Sequence, residues 1–137
     1  MMIHITRKEH FNAAHRMYRE EWSAEKNNEV FGKCANPNWH GHNYTLDVSM
    51  EGTPDSRTGY VIDLSKVKEI VWRELLSKVD HKNMNLDVPF MEGRIPTSEN
   101  IIVEFWKILE PALAPARLVR LVLWETENNY VEYTGSR

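Results

Sequence analysis

The N-terminal third of the chain alternates hydrophobic and polar residues, as a strand does when only one of its faces is buried. The first run covers residues 3–15, and its positions of like parity are Ile3, Ile5, Phe11, Ala13 and His15. The second run, over residues 44–50, alternates in the same way. Residues 52–59, GTPDSRTG, are rich in turn formers and predict a turn into a partner strand over residues 60–62.

Two segments before residue 80 carry helical signals. The polar stretch 18–38 predicts one short helix at about residues 24–30. Asp63 can cap a second helix, because its carboxylate can accept a hydrogen bond from a backbone N–H of the first turn. The apolar stripe of that second helix recurs at steps of three and four residues and consists of Leu64, Val67, Ile70, Val71, Leu75 and Val79.

A third helix follows an irregular segment over residues 80–96. Thr97 or Ser98 caps this helix, and Glu99 is favourable in its first turn, where the helix dipole attracts negative charge. Its apolar stripe consists of Ile101, Ile102, Phe105, Ile108 and Leu109. We expect the helix to end at Pro111, since proline cannot donate the next backbone hydrogen bond.

The C-terminal segment predicts a β-hairpin with its turn near residues 128–129. Its alternating apolar positions are Val119, Leu121 and Leu123 on one side of the turn and Val131 and Tyr133 on the other. Hairpins separated by consecutive helices indicate an α+β protein, with a four-stranded antiparallel sheet and two helices on one face. The open edges of such a sheet favour oligomerisation.

The composition narrows the class of protein. The 137 residues fit a single domain over 1–137, and 42% hydrophobic with 27% charged residues excludes a disordered chain, a collagen-like fibre or a disulfide scaffold. A net charge of −3 argues against a nucleic-acid partner. No apolar run approaches a membrane span, and we expect no signal peptide. The single cysteine, Cys34, leads us to expect a cytoplasmic protein.

The segment 34–43, CANPNWHGHN, carries the strongest chemical signal. His40 and His42 lie two residues apart at the start of a strand, so both imidazoles project from one face. If the first two strands pair antiparallel, His15 at the end of the first strand lies beside them. Three neutral imidazoles with one open position are the usual arrangement of a catalytic zinc site. The alternative is that all three are ordinary polar or partly buried histidines.

Four further residues are candidates for catalysis or binding. Cys34 near a metal would ionise more easily and could act as a base, or it could be a small buried apolar residue. Asp80 beside His81 can fix an imidazole tautomer, although sequence neighbours need not touch. Glu125 follows an apolar strand, where it is either a solvated strand end or an acceptor for an amidine-like edge of a ring.

The chain resembles the family of 6-pyruvoyl-tetrahydropterin synthase and 6-carboxy-tetrahydropterin synthase. Five segments carry the resemblance: FNAAHR at 11–16, FGKCANPNWHGHNY at 31–44, DHKNMNLDVPF at 80–90, PTSEN at 96–100 and WETENNYVEY at 124–133. They occur in the family's order along nearly the whole chain. The resemblance implies the tunnelling fold, in which subunits join their sheets into a barrel. It further implies a homo-oligomer, a hexamer made of two trimers.

The resemblance also implies roles for individual residues. The zinc ligands of the family correspond to His15, His40 and His42. Its catalytic residues correspond to Cys34, Asp80 and His81, and its substrate-binding residues to Glu125, Thr97 and Glu99. The implied cofactor is Zn²⁺, and the implied ligand is a pterin triphosphate.

The implied activity is a lyase reaction, in which 7,8-dihydroneopterin triphosphate loses triphosphate and becomes 6-pyruvoyl-tetrahydropterin. Cys34 precedes His40 by six positions, which is similar to the pyruvoyl-forming branch of the family. Trp39 is a departure, because that branch commonly has glycine there. One alternative is a 6-carboxy-tetrahydropterin synthase of the queuosine route. Another is a non-catalytic zinc- or pterin-binding module.

Overall fold

Five strands and three helices make up the structure, a computed structural model that describes residues 2–136. The strands are β1 (Ile3–His15), β2 (His40–Gly52), β3 (Lys82–Asn83), β4 (Arg117–Trp124) and β5 (Tyr130–Tyr133). The helices are α1 (Ala24–Phe31), α2 (Leu64–Val71) and α3 (Ser98–Leu113). A π-helical turn (Trp72–Leu76) and a last short turn (Ser77–Val79) prolong α2, and 3₁₀ turns occupy Gly32–Ala35 and Pro89–Met91.

The strands form one sheet in the order β3-β1-β2-β4-β5. β1 and β2 pair antiparallel over their full length, from Ile3 opposite Gly52 to His15 opposite His40. The predicted antiparallel pairing of the first two strands is therefore confirmed. The sheet has five strands rather than four and is mixed, because the two residues of β3 pair parallel with β1. A two-residue strand has no periodicity, so the sequence pattern could not reveal it.

The predicted strand over residues 60–62 is wrong. β2 is already paired along both edges, by β1 and by β4, so no edge remains for a third partner. The preceding turn is held by Asp55, whose Oδ1 accepts hydrogen bonds from the backbone N–H groups of Arg57 and Thr58. The segment after this turn leads directly into α2.

The helix caps follow from the sequence. Asp63 Oδ1 accepts a hydrogen bond of 2.9 Å from the backbone N of Ser65, and Thr97 Oγ1 accepts one of 3.2 Å from the backbone N of Asn100. Contrary to the expectation from Pro111, α3 continues to Leu113. Proline there removes one backbone donor near the helix end, which costs too little to stop the last turn when Leu109 and Leu113 are fully buried.

Helices α2 and α3 pack on one face of the sheet and enclose the core. Its largest fully buried side chains include Tyr44, Leu46 and Met50 from β2, Leu75 and Leu76 from the end of α2, and Ile101, Phe105, Leu109 and Leu113 from α3. The other face of the sheet is polar. There Thr6 and Ser49 join hydroxyl to hydroxyl across β1 and β2 at 2.7 Å. Within residues 2–136, no helix is both long and apolar enough to cross a membrane.

Candidate active site

Three imidazoles meet where the end of β1 lies beside the start of β2. The antiparallel register sets His15 directly opposite His40, and the two-residue period of β2 brings His42 to the same face. The ring centroids are 4.5 Å apart for His15 and His40, and 5.0 Å apart for each of the other two pairs. One nitrogen from each ring lies within 4.8 Å of the others, a separation that a single metal ion can bridge.

Most of the ring nitrogens in this cluster have no hydrogen-bond partner, although they are buried. These orphaned atoms are His15 Nε2, both nitrogens of His40, and His42 Nε2. His15 Nδ1 lies 2.8 Å from the backbone carbonyl oxygen of Pro96, which accepts a hydrogen bond from Nδ1–H and leaves the lone pair of Nε2 available to a metal. His15 is itself fully buried. Unpartnered buried nitrogens are costly in a folded protein, and these three rings are placed so that they could hold a metal ion.

The surroundings favour the neutral imidazoles that metals bind. Burial is the largest effect that lowers the pKa of His15, and the hydrogen bond to Pro96 opposes it. Burial likewise lowers the pKa of His42, while the Glu125 carboxylate opposes the shift. His40 adds to the lowering of both pKa values, and His42 adds to that of His15, because positive charges on neighbouring rings would repel one another. Both rings therefore stay deprotonated below the ordinary histidine pKa.

Glu125 lies just past β4 and faces the cluster. Its Oε2 accepts a 2.7 Å hydrogen bond from the hydroxyl of Ser98, a buried residue in the first turn of α3. Its Oε1 lies 3.0 Å from His42 Nε2, but the geometry is not that of a hydrogen bond. The backbone N of Glu125 donates to the carbonyl of Asn129 and closes the β4–β5 hairpin. The sequence prediction of a carboxylate at a strand end is confirmed, and its surroundings are the imidazole cluster.

Cys34 lies in the 3₁₀ turn that precedes β2 and is half-buried. Its carbonyl accepts a hydrogen bond from the backbone N of Met17, and the carbonyl of Ala35 accepts one from Arg16 Nε. These two bonds hold the turn against the residues that follow His15. Burial first, and the Glu125 carboxylate second, raise the pKa of the Cys34 thiol. In the chain alone the sulfur is therefore held as a thiol rather than a thiolate.

Asp80 and His81 form a local pair alongside β1. Asp80 Oδ2 lies 3.0 Å from His81 Nδ1, and its Oδ1 accepts from the backbone N of Asn12. His81 has φ +60° and donates its backbone N–H to the carbonyl of Asn12. Its side chain is largely exposed. The described contacts include no hydrogen bond or ion pair from either residue to Cys34 or to the three histidines.

An open groove of about 520 Å³ nevertheless reaches both parts of the molecule. His42 and His81 both line it, together with Asn12, Ala14, Gly41 and Asn43 from the polar face of the sheet. A Cβ at Gly41 would lie 3.4 Å from the carbonyl oxygen of Ala13, an ordinary van der Waals distance. Asn12, Ala14, Gly41 and Asn43 lie on the opposite face of the sheet from the imidazoles, so the groove borders the cluster only at His42.

The two remaining predicted binding residues lie at the start of α3. Thr97 is half-buried and uses its hydroxyl to cap the helix. Glu99 is exposed in the first turn. The described hydrogen bonds and ion pairs include none from Thr97 or Glu99 to the cluster, while the intervening Ser98 is linked to it through Glu125. The sequence reading treated Ser98 only as an alternative cap, since nothing local indicates a partner 27 residues away.

Comparisons with known proteins agree with this geometry. A family model described as 6-pyruvoyl tetrahydropterin synthase matches residues 4–136. The 6-pyruvoyl tetrahydrobiopterin synthase of Homo sapiens is 39% identical over 131 residues, which cover 96% of this chain and 90% of that protein. The solved structure of Caenorhabditis elegans 6-pyruvoyl tetrahydropterin synthase has a TM-score of 0.92 and 37% identity, and the match covers 99% of this chain and 97% of that chain. The expected tunnelling fold of the subunit is confirmed.

Two more distant relatives have other names. A dihydroneopterin monophosphate aldolase of Pyrococcus furiosus is 32% identical, with 96% of this chain and 97% of that protein covered. A 6-carboxy-5,6,7,8-tetrahydropterin synthase of Rickettsia conorii is 26% identical, with 96% of this chain and 99% of that protein covered. Related chains of similar length therefore carry at least three names for pterin chemistry.

Proposed function

Because the chain belongs to the 6-pyruvoyl tetrahydropterin synthase family, we propose that it is a zinc-dependent lyase that makes 6-pyruvoyl-tetrahydropterin. The substrate is 7,8-dihydroneopterin triphosphate, and triphosphate leaves. The observation that carries the proposal is the cluster of three buried imidazoles with unpartnered nitrogens, with Glu125 beside it. The presence of Cys34, Asp80 and His81 argues against a protein that only binds zinc or pterin, because simple binding needs no proton-transfer residues.

The residues present fit a zinc ion. His15, His40 and His42 would supply one nitrogen each, and neutral imidazole is a preferred ligand of zinc. The carbonyl of Pro96 orients His15, as the second shell of a metal site commonly does. When bound, zinc supplies Lewis-acid polarisation of the oxygens on the substrate side chain.

We propose Cys34 as the base that takes a proton from the substrate side chain. Its thiol is held beside the end of β1 by the hydrogen bonds of its turn. Since burial and Glu125 both raise its pKa, the thiolate needs a positive charge in the site to form. Asp80 and His81 would assist proton transfer from the groove that His81 shares with His42.

Glu125 would hold the pterin ring. Its two oxygens face Ser98 and His42, so the carboxylate is fixed in direction before a ligand arrives. A carboxylate accepts hydrogen bonds from the amidine-like edge of a pterin. Thr97 and Glu99 would contribute at the same helix start, where Glu99 remains exposed.

The triphosphate requires cations, and we propose Arg16 and Lys33 for this role. Both line a cavity of about 710 Å³ beside α1 and the Cys34 turn. Arg16 is fixed by its bond to Ala35 and by its guanidinium, which lies 4.0 Å from the ring centre of Tyr18. Lys33 is exposed and adjacent to Cys34 in the chain. We propose further that the chain forms a homo-oligomer, a hexamer of two trimers, through its open sheet edges.

The second candidate is a 6-carboxy-tetrahydropterin synthase acting on the same substrate, which the Rickettsia relative favours. The spacing between Cys34 and His40 favours the pyruvoyl product instead. Incubation of the zinc-loaded protein with 7,8-dihydroneopterin triphosphate, followed by mass spectrometry, separates the two. We expect 6-pyruvoyl-tetrahydropterin and free triphosphate. A 6-carboxy product would support the second candidate, and no release of triphosphate would indicate a binding module.

A further inference from the structure

The hydroxyl of Tyr44 is a buried polar group to which the proposed reaction gives no role. Tyr44 lies in β2, two residues after His42, and its side chain is fully buried. Its hydroxyl has no hydrogen-bond partner among the described residues. A buried hydroxyl without a partner is costly, and phenylalanine would avoid that cost. A tyrosine here therefore calls for a partner that the chain itself does not supply.

The position of the ring is fixed by its neighbours. Tyr44 stacks on Phe11 of β1 with ring centroids 4.8 Å apart and an angle of only 5° between the planes. The ring centroids of His42 and His15 lie 5.6 Å and 6.3 Å away, with both rings edge-on. The ring of Tyr44 therefore lies directly beside the imidazole cluster.

The hydroxyl is also an available donor. A phenolic hydroxyl can donate one hydrogen bond. The Glu125 oxygens face Ser98 and His42 and accept nothing from Tyr44. The proton of the hydroxyl thus remains free for a ligand that enters between these groups.

We propose that Tyr44 is a substrate-positioning residue, whose hydroxyl donates a hydrogen bond to an acceptor atom of the bound pterin substrate. The inference rests on the proposed function and adds a donor to the carboxylate that Glu125 provides. Pterins offer carbonyl and ring-nitrogen acceptors besides their N–H donors, so one acceptor and one donor side chain together fix a ring in its plane.

Tyr44→Phe tests the proposal, because it removes the hydroxyl and keeps the ring that stacks on Phe11. We expect KM for 7,8-dihydroneopterin triphosphate to rise roughly three- to tenfold, the scale of one net hydrogen bond. We expect kcat to stay within about twofold, since a bond made equally in ground and transition states affects binding alone. Zinc content should not change.

Urea denaturation of the ligand-free protein supplies a readout that separates this role from a structural one. We expect Tyr44→Phe to unfold at the same or a higher urea concentration than the wild type, because no protein bond is lost. A variant that is destabilised or fails to fold would show that the hydroxyl has a structural partner, such as a buried water, and would overturn the proposal. An unchanged KM would overturn it as well.

Two further comparisons complete the design. Tyr133→Phe is the matched control, since that half-buried tyrosine lies in β5 against Trp106 and should leave KM unaltered. Equilibrium binding of 7,8-dihydroneopterin triphosphate to Cys34→Ala, with and without Tyr44→Phe, tests the positioning role without turnover. Weaker binding in the double variant supports the inference even if the product assignment fails, whereas equal binding overturns the inference alone.

Discussion

Ser98 donates a 2.7 Å hydrogen bond to Oε2 of Glu125 and thereby joins the start of α3 to the end of β4. The other carboxylate oxygen lies 3.0 Å from His42 Nε2. The direction of one carboxylate is thus set by a helix, a strand and an imidazole together. A ligand that binds Glu125 meets an acceptor that needs no reorientation, which reduces the entropic cost of binding.

Glu125→Gln should weaken pterin binding by roughly 1.5–3 kcal/mol, the scale of a hydrogen bond to a charged group. The amide oxygen can still accept from Ser98, so we expect the fold and the zinc content to be retained. Isothermal titration with a pterin inhibitor measures the effect. Glu127→Gln, which changes an exposed residue in the same hairpin turn, is the control. Unaltered affinity in Glu125→Gln would show that another residue holds the ring.

The purified protein should contain about one zinc per chain, bound by His15, His40 and His42. Replacing both His40 and His42 with alanine leaves a single imidazole, so elemental analysis should find almost no zinc. His10→Ala should keep full content, since His10 contacts Thr45 through its ring rather than the cluster. Full zinc in the double variant would contradict the assignment.

Cys34→Ala should lower turnover at least about a hundredfold, because general bases contribute typically 10²–10⁴-fold. Zinc content and pterin affinity should stay near those of the wild type, since three histidines already supply the ligands. Rate measurements with saturating substrate and elemental analysis provide the two readouts. Near-normal turnover would remove the thiolate from the mechanism, and loss of zinc would make Cys34 a ligand.

Trp39 adopts φ +67°, in the left-handed region where glycine is favoured. We expect Trp39→Gly to be more stable than Trp39→Ala by about 1 kcal/mol, because both lose the indole and only alanine keeps the strain. Urea denaturation of the two variants measures the difference. At Trp22, which lies outside the left-handed region, alanine should be at least as stable as glycine. If the glycine variant were the more stable one at both positions, or the alanine variant at both, the backbone strain inferred at Trp39 would be contradicted.

The metal-free protein should lose stability as the pH falls below about 6.5, the ordinary pKa of histidine. The folded state lowers the pKa values of His15 and His42, so the unfolded chain takes up protons first and acidification favours unfolding. The effect is absent well above pH 6.5 and levels off below the folded pKa values. Urea denaturation at several pH values checks this. His15→Asn, which keeps a donor for Pro96, should show a smaller decline.

The elements that show a periodic pattern of hydrophobic residues could be predicted from the sequence. The alternation predicted the strands β1 and β2, and the hypothesis that they pair antiparallel, which the structure confirms, placed His15 beside His40 and His42. The helix cap at Asp63 could also be predicted, because it depends only on residues next to it in the chain. The strand expected over residues 60–62 was wrong because pairing depends on which sheet edges are free, and β4 had taken the edge of β2.

The parts of the site that depend on packing could not be predicted. Ser98 reaches Glu125 only because α3 begins where β4 ends. Tyr44 looked like any core aromatic on an alternating strand, and only the absence of a partner for its hydroxyl among the described residues distinguishes it. The sequence left open whether Asp80 and His81 touch, and in the structure Asp80 Oδ2 lies 3.0 Å from His81 Nδ1. Their place alongside β1 depends on the two-residue strand β3, which the sequence pattern could not reveal.

The uninterrupted register of β1 and β2 makes the imidazole cluster a test of strand alignment. Each strand has 13 residues, and every residue of β1 is paired one-to-one up to His15 opposite His40. A slip of one residue would turn the affected strand over, so that His15 faced away from His40 and His42. A chain with shifted strands would therefore form a similar sheet in which the three histidines cannot bind one metal ion together. Binding of a metal ion during folding would therefore stabilise the correct pairing of β1 with β2 over the shifted pairings.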